Sequence, residues 1–284
     1  MDLSGDATLR LVIFDLDGVI YRGHQPVPGA VALVAALRER GILIRFATNN
    51  SMATRAMYVP RLAEMGIPAA MDEIVTSTSA TIDHVRAHLP HVRSILTVGA
   101  HGMLEELRLA GFEATAAADA VDGDYDGGPL SVSYDAVVAG LDPSFDYRRM
   151  AAATTAIRAG AQFIATNADQ RYPTPSGFLP GAGSIVAALR ASGGHEPLVI
   201  GKPEPGIFTA ILERAGVAAS EAVAIGDNPD ADVVAAHRAG IRSILVLTGV
   251  ADAALAATLT GERRPDQVAE NPRAVAAILG VAVS

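Results

Sequence analysis

Arg10-Leu11-Val12-Ile13-Phe14-Asp15-Leu16-Asp17-Gly18-Val19 is an apolar run that ends in two carboxylates two positions apart. Leu11 to Phe14 are consecutive large apolar residues, the pattern of a strand buried on both faces. Asp15 and Asp17 then fall where the chain leaves the sheet, and Gly18 lets it turn away without a Cβ. In open α/β sheets that carboxyl edge is where ligands bind. A plain turn accounts for the same residues, since Asp and Gly are common turn formers, so the rest of the chain has to decide.

The same rhythm recurs on both sides of a long middle portion. Ala30 to Arg40 carries Val31, Leu33, Val34 and Leu37 on one helical face with Gly41 as the stop. Ile42 to Ala47 then reads as a strand ending in Thr48-Asn49-Asn50-Ser51. The spacing predicts a helix over residues 54–65 that Pro60 kinks or splits. Pro197 to Gly201 reads as a strand ending in Lys202, and Ala222 to Gly226 as one ending in Asp227, with a helix from Ala231 to Ala239 after it. Between residues 90 and 180 the alternation restarts with its own strands (94–99, 136–140, 162–167) and a Pro/Gly-rich loop from Thr166 to Pro180. Alternating strand and helix predicts an α/β protein with a doubly wound parallel sheet and an inserted α/β domain. The expected boundaries are residues 1–83 and 181–284 for the Rossmann-like core and 84–180 for the insertion.

Composition narrows the class. The chain has 284 residues, no cysteine, and a net charge of −9 from 31 acidic and 22 basic residues. Without a dense Lys/Arg stripe, nucleic acid is not the expected partner, and no apolar run approaches the length of a membrane span. With no signal-peptide pattern at the N-terminus, the expected location is the cytoplasm.

If the four strands are parallel neighbours, Asp15/Asp17, Thr48/Asn49, Lys202 and Asp227 converge on one sheet edge, and that set suits phosphoryl transfer. One carboxylate can attack phosphorus, and a second can protonate the leaving oxygen and then activate water. Asp15 and Asp227 are hard oxygen ligands suited to Mg²⁺. Lys202 offers a point charge to a phosphoryl oxygen, while Thr48 and the Asn49 amide offer fixed donors.

These runs, Asp15-Leu16-Asp17-Gly18-Val19, Thr48-Asn49-Asn50-Ser51, Gly201-Lys202-Pro203 and Gly226-Asp227-Asn228-Pro229-Asp230-Ala231-Asp232, resemble the four signature motifs of the haloacid dehalogenase-like (HAD) hydrolases. The resemblance is closest to the subfamily IIA phosphatases, NagD-like and 4-nitrophenylphosphatase-like. Val137 to Asp142, Ala165 to Asp169, Pro180 to Gly183 and Ile244 to Val250 fit the same subfamily. The resemblance implies that Asp15 is the nucleophile and Asp17 the general acid/base. It implies Mg²⁺ held by the Asp15 carboxylate, the Asp17 main-chain carbonyl and Asp227, with Asp232 and Asn228 supporting the metal site. It also leaves room for a homodimer through the inserted cap. The loop at residues 119–133 is longer and more acidic than the family pattern.

Spacing places the cap independently. Thirty residues (18–47) separate Asp17 from Thr48, enough for one crossover helix, whereas more than 150 separate Thr48 from Lys202. That disfavours the phosphomutase branch, whose cap follows the first motif. Asp17 itself disfavours the dehalogenases, which need no acid there, and the P-type ATPases, which carry Thr. Substrate choice is expected in the cap, with Asn49, Asn50, Asn167, Asp169, Arg171 and Tyr172 as candidate substrate-binding residues. Sugar phosphates, glycerol phosphate, phosphoglycolate, nucleoside monophosphates and pyridoxal phosphate all stay open as the small-molecule ester.

Three further patterns carry less. Gly181-Ala182-Gly183 imitates a dinucleotide fingerprint but follows no first strand and lacks the third glycine, so a helix start is expected. Asp122 to Gly127 imitates a calcium loop, yet position twelve is Ser133 where Glu is required. The histidines, His84 and His88 included, are expected to be non-ligands. A different functional class, a non-hydrolytic phospho-acceptor or ligand-sensing module with the same acid cluster, is disfavoured by size and by both acids lying on the first strand.

Overall fold

The computed structural model describes residues 8–121, 130, 132–174 and 177–283. Its strands are β1 (Leu11–Asp15), β2 (Tyr21–Arg22), β3 (Gln25–Pro26), β4 (Leu43–Thr48) and β5 (Ile74–Thr76), then β6 (Ser94–Val98), β7 (Glu113–Ala116), β8 (Ala136–Ala139), β9 (Gln162–Ala165), β10 (Arg171–Thr174), β11 (Gly177–Pro180) and β12 (Leu198–Val199), and finally β13 (Ala222–Gly226), β14 (Arg242–Val246) and β15 (Gln267–Ala269).

Two compact units share the chain. The first runs through Thr48, resumes over Arg55–Val75 and takes everything from Lys202 onward; the second comprises Asn49–Thr54 and Thr76–Gly201. The first is built on a six-stranded sheet of order β15-β14-β13-β1-β4-β5, with β1 parallel to both β13 and β4. Leu11 to Phe14 sit at its centre, at most 1% exposed. Burial of each such side chain contributes about 1.5–3 kcal/mol. The helix Ala30–Glu39 buries Ala30, Leu33, Val34 and Leu37, the i, i+3, i+4, i+7 stripe of a sheet-covering helix. No helix among the described residues is long and apolar enough to cross a membrane.

The second unit has a five-stranded parallel sheet of order β12-β9-β8-β6-β7. Its core joins Leu96, Val98, Val137, Ala139, Phe163 and Ala165 from the strands to Ile157 and Leu189 from the helices Tyr147–Arg158 and Ala182–Gly193.

Four local expectations change. Pro197 to Gly201 does not supply a strand to the first sheet: β12 pairs with β9 in the second, because its partner strand there lies ready while β1 is already flanked on both sides. The units therefore divide at residues 76 and 201 rather than at 84 and 180, since the helix Ser77–His88, the helix Ala182–Gly193 and β12 all pack with the second unit. The stretch from Thr166 to Pro180, expected as loop, contains the antiparallel pair β10 and β11. The helix Arg55–Glu64 is not split at Pro60 but runs on through it, giving up one bond to the carbonyl four residues back. The acidic turn at residues 122–127 lies outside the described residues.

Asp135, just before β8, ties that strand to β6: its Oδ2 accepts from the Arg93 and Ser94 amides, both at 2.8 Å, and from Ser94 Oγ at 3.0 Å. The Ser94 amide first, then that of Arg93, holds the carboxyl below its ordinary value. A depressed folded-state value means that the stabilisation is complete above about pH 4, the unfolded carboxyl's range, and is lost as the pH falls through the folded value. Asp135→Asn is expected to lower the unfolding midpoint by roughly 2–4 °C at pH 7 in a thermal melt, with the deficit closing in strong acid; a deficit independent of pH contradicts this role.

Candidate functional site

β1 and its two neighbours deliver three of the expected groups side by side. Phe14 is in register with Ile225 and Asp15 with Ala47, so Asp15, Thr48 and Asp227 leave adjacent parallel strands at the same edge. Lys202 does not arrive on a fourth strand of this sheet, but it reaches the same place through its side chain. The buried Lys202 Nζ donates to Asp15 Oδ1 at 2.5 Å and to Asp232 Oδ1 at 2.6 Å.

Asp232 is brought back by the chain after β13. Asn228 caps the turn through its side chain, accepting from the Asp230 amide at 3.0 Å, and Pro229–Val233 forms one wide π-type turn. Asp232 Oδ2 accepts from the amides of Asp227 and Asn228 at 3.2 and 3.0 Å. Both Asp232 oxygens are thereby used within the protein. Asp227 Oδ2 accepts from the Val250 amide at 2.7 Å.

Space for these carboxylates depends on missing side chains. A Cβ on Gly249 would lie 1.8 Å from Asp227 Oδ2, and one on Gly18, at φ +79°, would lie 2.3 Å from the same atom. Sequence reading quoted Gly249 and Val250 only as part of a run; a glycine right after the last strand pattern, on the same sheet edge, was the available signal.

Carboxylate oxygens of Asp15, Asp227 and Asp232 lie within 4.8 Å of one another, three acids against the one ammonium of Lys202. Burial pushes the Asp15 carboxyl well above its ordinary value, with Lys202 pulling against it and Asp232 and Asp227 adding to it. Asp227 is pushed up to about 7, chiefly by burial and then by Asp232. Burial alone would lower the Lys202 ammonium, but Asp15 and Asp232 raise it above the usual lysine range, so it stays charged. A hard divalent cation offsets such an excess of buried oxygen charge. With Asp232 already engaged, Asp15 and Asp227 are the carboxylates that fit one.

Asp17 stands exposed beyond the turn. Although the residue reaches the surface, desolvation by the protein atoms crowded around its carboxyl raises it above the ordinary value, while Arg61 and then Lys202 pull it down. Arg61 was missed by sequence reading, because an Arg on an amphipathic helix carries no motif.

The remaining candidates belong to the second unit. Asn49 Nδ2 donates to both Asp169 oxygens at 3.2 and 3.0 Å, and the Asn49 carbonyl accepts from Asn167 Nδ2 at 2.7 Å and Ser77 Oγ at 2.8 Å. Asn50 Oδ1 accepts from the Met52 amide at 2.8 Å and shapes the same segment. Gly181 starts the helix Ala182–Gly193, and a Cβ there would lie 2.1 Å from the Asp169 carbonyl oxygen, so close backbone packing accounts for this glycine. The exposed Arg171 lies over the Phe178 ring, 5.6 Å from its centroid. Tyr172 is half-buried and lines a cavity of about 460 Å³ with Met52, Leu141, Phe145, Leu179 and Ile185.

Known proteins are similar to this chain in both sequence and fold. Residues 12–113 match the family model described as haloacid dehalogenase-like hydrolase, and residues 199–275 match one described as HAD-hydrolase-like. An acid sugar phosphatase of Staphylococcus epidermidis is 36% identical over 242 residues, covering 84% of this chain and 86% of that protein. The crystal structure of a glycerol phosphate phosphatase from Mycobacterium tuberculosis in complex with magnesium superposes with a TM-score of 0.81 at 33% identity, covering 97% of this chain and 78% of that one. A 4-nitrophenylphosphatase from Thermotoga maritima superposes with a TM-score of 0.83 at 32% identity, over 96% and 98% of the two chains. With its acid cluster, its parallel sheet and relatives that span most of its length, the chain belongs to the haloacid dehalogenase-like hydrolases.

Proposed function

We propose that this protein is a Mg²⁺-dependent phosphatase that hydrolyses a small-molecule phosphomonoester in the cytoplasm through an aspartyl-phosphate at Asp15. The observation that carries this is the junction of Asp15, Asp227 and Asp232 with Lys202 at one sheet edge. The phosphatase names and the magnesium complex among the relatives support it.

Asp15 is the nucleophile: its carboxylate oxygen forms a bond to phosphorus as the bond to the ester oxygen breaks. Lys202 fixes that carboxylate through Oδ1 and places a positive charge beside the phosphoryl group. Asp17 gives its proton to the departing alcohol oxygen, then takes one from the water that attacks phosphorus, which releases inorganic phosphate and restores Asp15. Thr48, one residue past the partner of Asp15 on β4, and Asn49 supply donors to the phosphoryl oxygens. The carboxylates of Asp15 and Asp227 and the Asp17 carbonyl would hold Mg²⁺, with Asp232 and Asn228 in support, and the bound ion would supply neutralisation of phosphoryl charge.

The organic part of the ester is selected by the second unit, with Asn50, Asn167, Asp169, Arg171 and Tyr172 as the binding set. Tyr172 is the strongest of these, since it borders a largely apolar cavity. A homodimer through that unit belongs to the same proposal, supported by the resemblance and by the exposed Phe178 and Leu179 on its hairpin.

Turnover of 4-nitrophenyl phosphate tests the reaction. Multiple turnovers that require Mg²⁺ and fall at least about 10³-fold in Asp15→Asn are expected; a single stable phosphorylation event instead identifies a phospho-acceptor module. Tyr172→Ala is expected to reorder relative activity across a panel of phosphate esters while the Mg²⁺ dependence stays as in the parent. An unchanged ranking removes Tyr172 from the binding set.

A further inference from the structure

The turn that carries Asp15 and Asp17 is closed on itself by Tyr21. The Ile20 and Tyr21 amides donate to the Leu16 carbonyl at 2.9 and 3.1 Å, the Gly18 amide donates to the Tyr21 carbonyl at 2.8 Å, and Asp17 pairs with Tyr21 in a one-residue bridge. Tyr21 is thus bonded through its backbone to the segment that carries Asp17 and Gly18.

Tyr21 is fully buried, and what lies on its ring is a cation. The Arg61 guanidinium carbon, projecting from the helix Arg55–Glu64, sits 4.1 Å from the ring centroid, inside cation–π range. The same guanidinium donates through Nη2 to the Gly23 carbonyl at 2.8 Å. One side chain thus grips both the ring of β2 and the bend between β2 and β3. Thr248 Oγ1 donates to the Gly18 carbonyl at 2.6 Å, and Arg22 Nε donates to the Thr248 carbonyl. The turn is clamped twice, by Arg61 through Tyr21 and by Arg22 through Thr248.

A stack made only to fill space would avoid stranding polar atoms. Here Arg61 Nε is buried with no hydrogen-bond partner among the described residues, an arrangement that disfavours folding and that an apolar side chain of similar volume would not carry. A buried, incompletely satisfied guanidinium beside the Asp15–Asp17 turn marks a constraint other than stability.

We infer that Arg61 is a positioning residue for the Asp15–Asp17 turn, acting through the ring of Tyr21 and the carbonyl of Gly23. Among the described residues its hydrogen bond goes to Gly23 and not to Asp15 or Asp17, and on the Asp17 carboxyl it bears only through its charge. The inference rests on the proposed roles of Asp15 and Asp17 for its kinetic consequence, but its geometric content stands apart from them.

Amide hydrogen exchange on the full chain, read together with 4-nitrophenyl phosphate kinetics and thermal melts, tests it. In Arg61→Met the amides of Gly18 and Tyr21 exchange about tenfold faster or more. In the same variant kcat falls on the order of 10–100-fold, with KM and the unfolding midpoint close to the parent's. Tyr21→Phe, which keeps the ring, behaves as the parent, whereas Tyr21→Leu reproduces the exchange and kcat changes of Arg61→Met, with a lower unfolding midpoint from the lost ring. The double variant Arg61→Met/Tyr21→Leu is no slower than either single one, because the two act as a unit. Arg61→Lys, which keeps a cation for the ring, recovers part of kcat. Parent-like exchange in Arg61→Met overturns the inference, as does a loss of kcat matched by an equal loss of folded protein, or losses that multiply in the double variant. If the parent itself shows no phosphatase turnover, the proposed function fails, and the exchange measurement alone decides the role of Arg61.

Discussion

Lys202 holds its ammonium between two carboxylates, Asp15 on the first strand of the chain and Asp232 in the turn after β13. All three groups are largely withdrawn from water, and placing charges there costs several kcal/mol per ion unless each finds a partner. Lys202 meets that cost for itself and for Asp232, whose second oxygen is satisfied by backbone amides. It leaves Asp15 half-satisfied and Asp227 without a cation of its own, so negative charge stays in excess at this sheet edge instead of closing into a buried ion pair. Removing the ammonium would leave the pair uncompensated, a loss on the order of 3–5 kcal/mol.

The sheet exists to make that arrangement rigid. β13, β1 and β4 are consecutive in space although β13 lies some two hundred residues beyond β1; β1 and β4 end on Asp15 and Thr48, and β13 ends one residue before Asp227. The Asp227 carboxylate fits only because Gly18 and Gly249 present no Cβ to it. Thr248, a position before Gly249, fixes the carbonyl of Gly18. The loops on the two sides of Asp227 are therefore tied to one another as well as to the clustered acids. The second unit follows a different logic. Its helices and parallel sheet form a core of their own, and the network of Asn49, Asn167 and Asp169 ties the segment after Thr48 into it.

Much of this was legible in the sequence, for a physical reason. Parallel strands buried on both faces must be runs of apolar residues, so Leu11 to Phe14 and Ala222 to Gly226 announce themselves, and the polar residue that breaks such a run marks the sheet edge. Lys202 was found for a partly mistaken reason: the apolar run before it does form a strand, but Leu198–Val199 joins β9 in the other sheet. Strand propensity says nothing about which sheet will accept a strand, and the boundary between the units was misjudged for the same cause. The hairpin of β10 and β11 was hidden because Pro173 and Pro180 read as loop, yet antiparallel edge strands tolerate proline. Arg61 was invisible, since its partners, Tyr21 and the Gly23 carbonyl, are local to the fold and not to any motif.

The central claim is that Asp15 and Asp227, left short of positive charge by Lys202, hold one divalent cation. Calorimetric titration of Mg²⁺ into the parent protein and into Asp227→Asn and Asp232→Asn tests it most directly. One site per chain in the parent, binding at least about tenfold weaker in Asp227→Asn and less affected in Asp232→Asn, is the predicted result. Equal Mg²⁺ affinity in the parent and in Asp227→Asn would contradict the account.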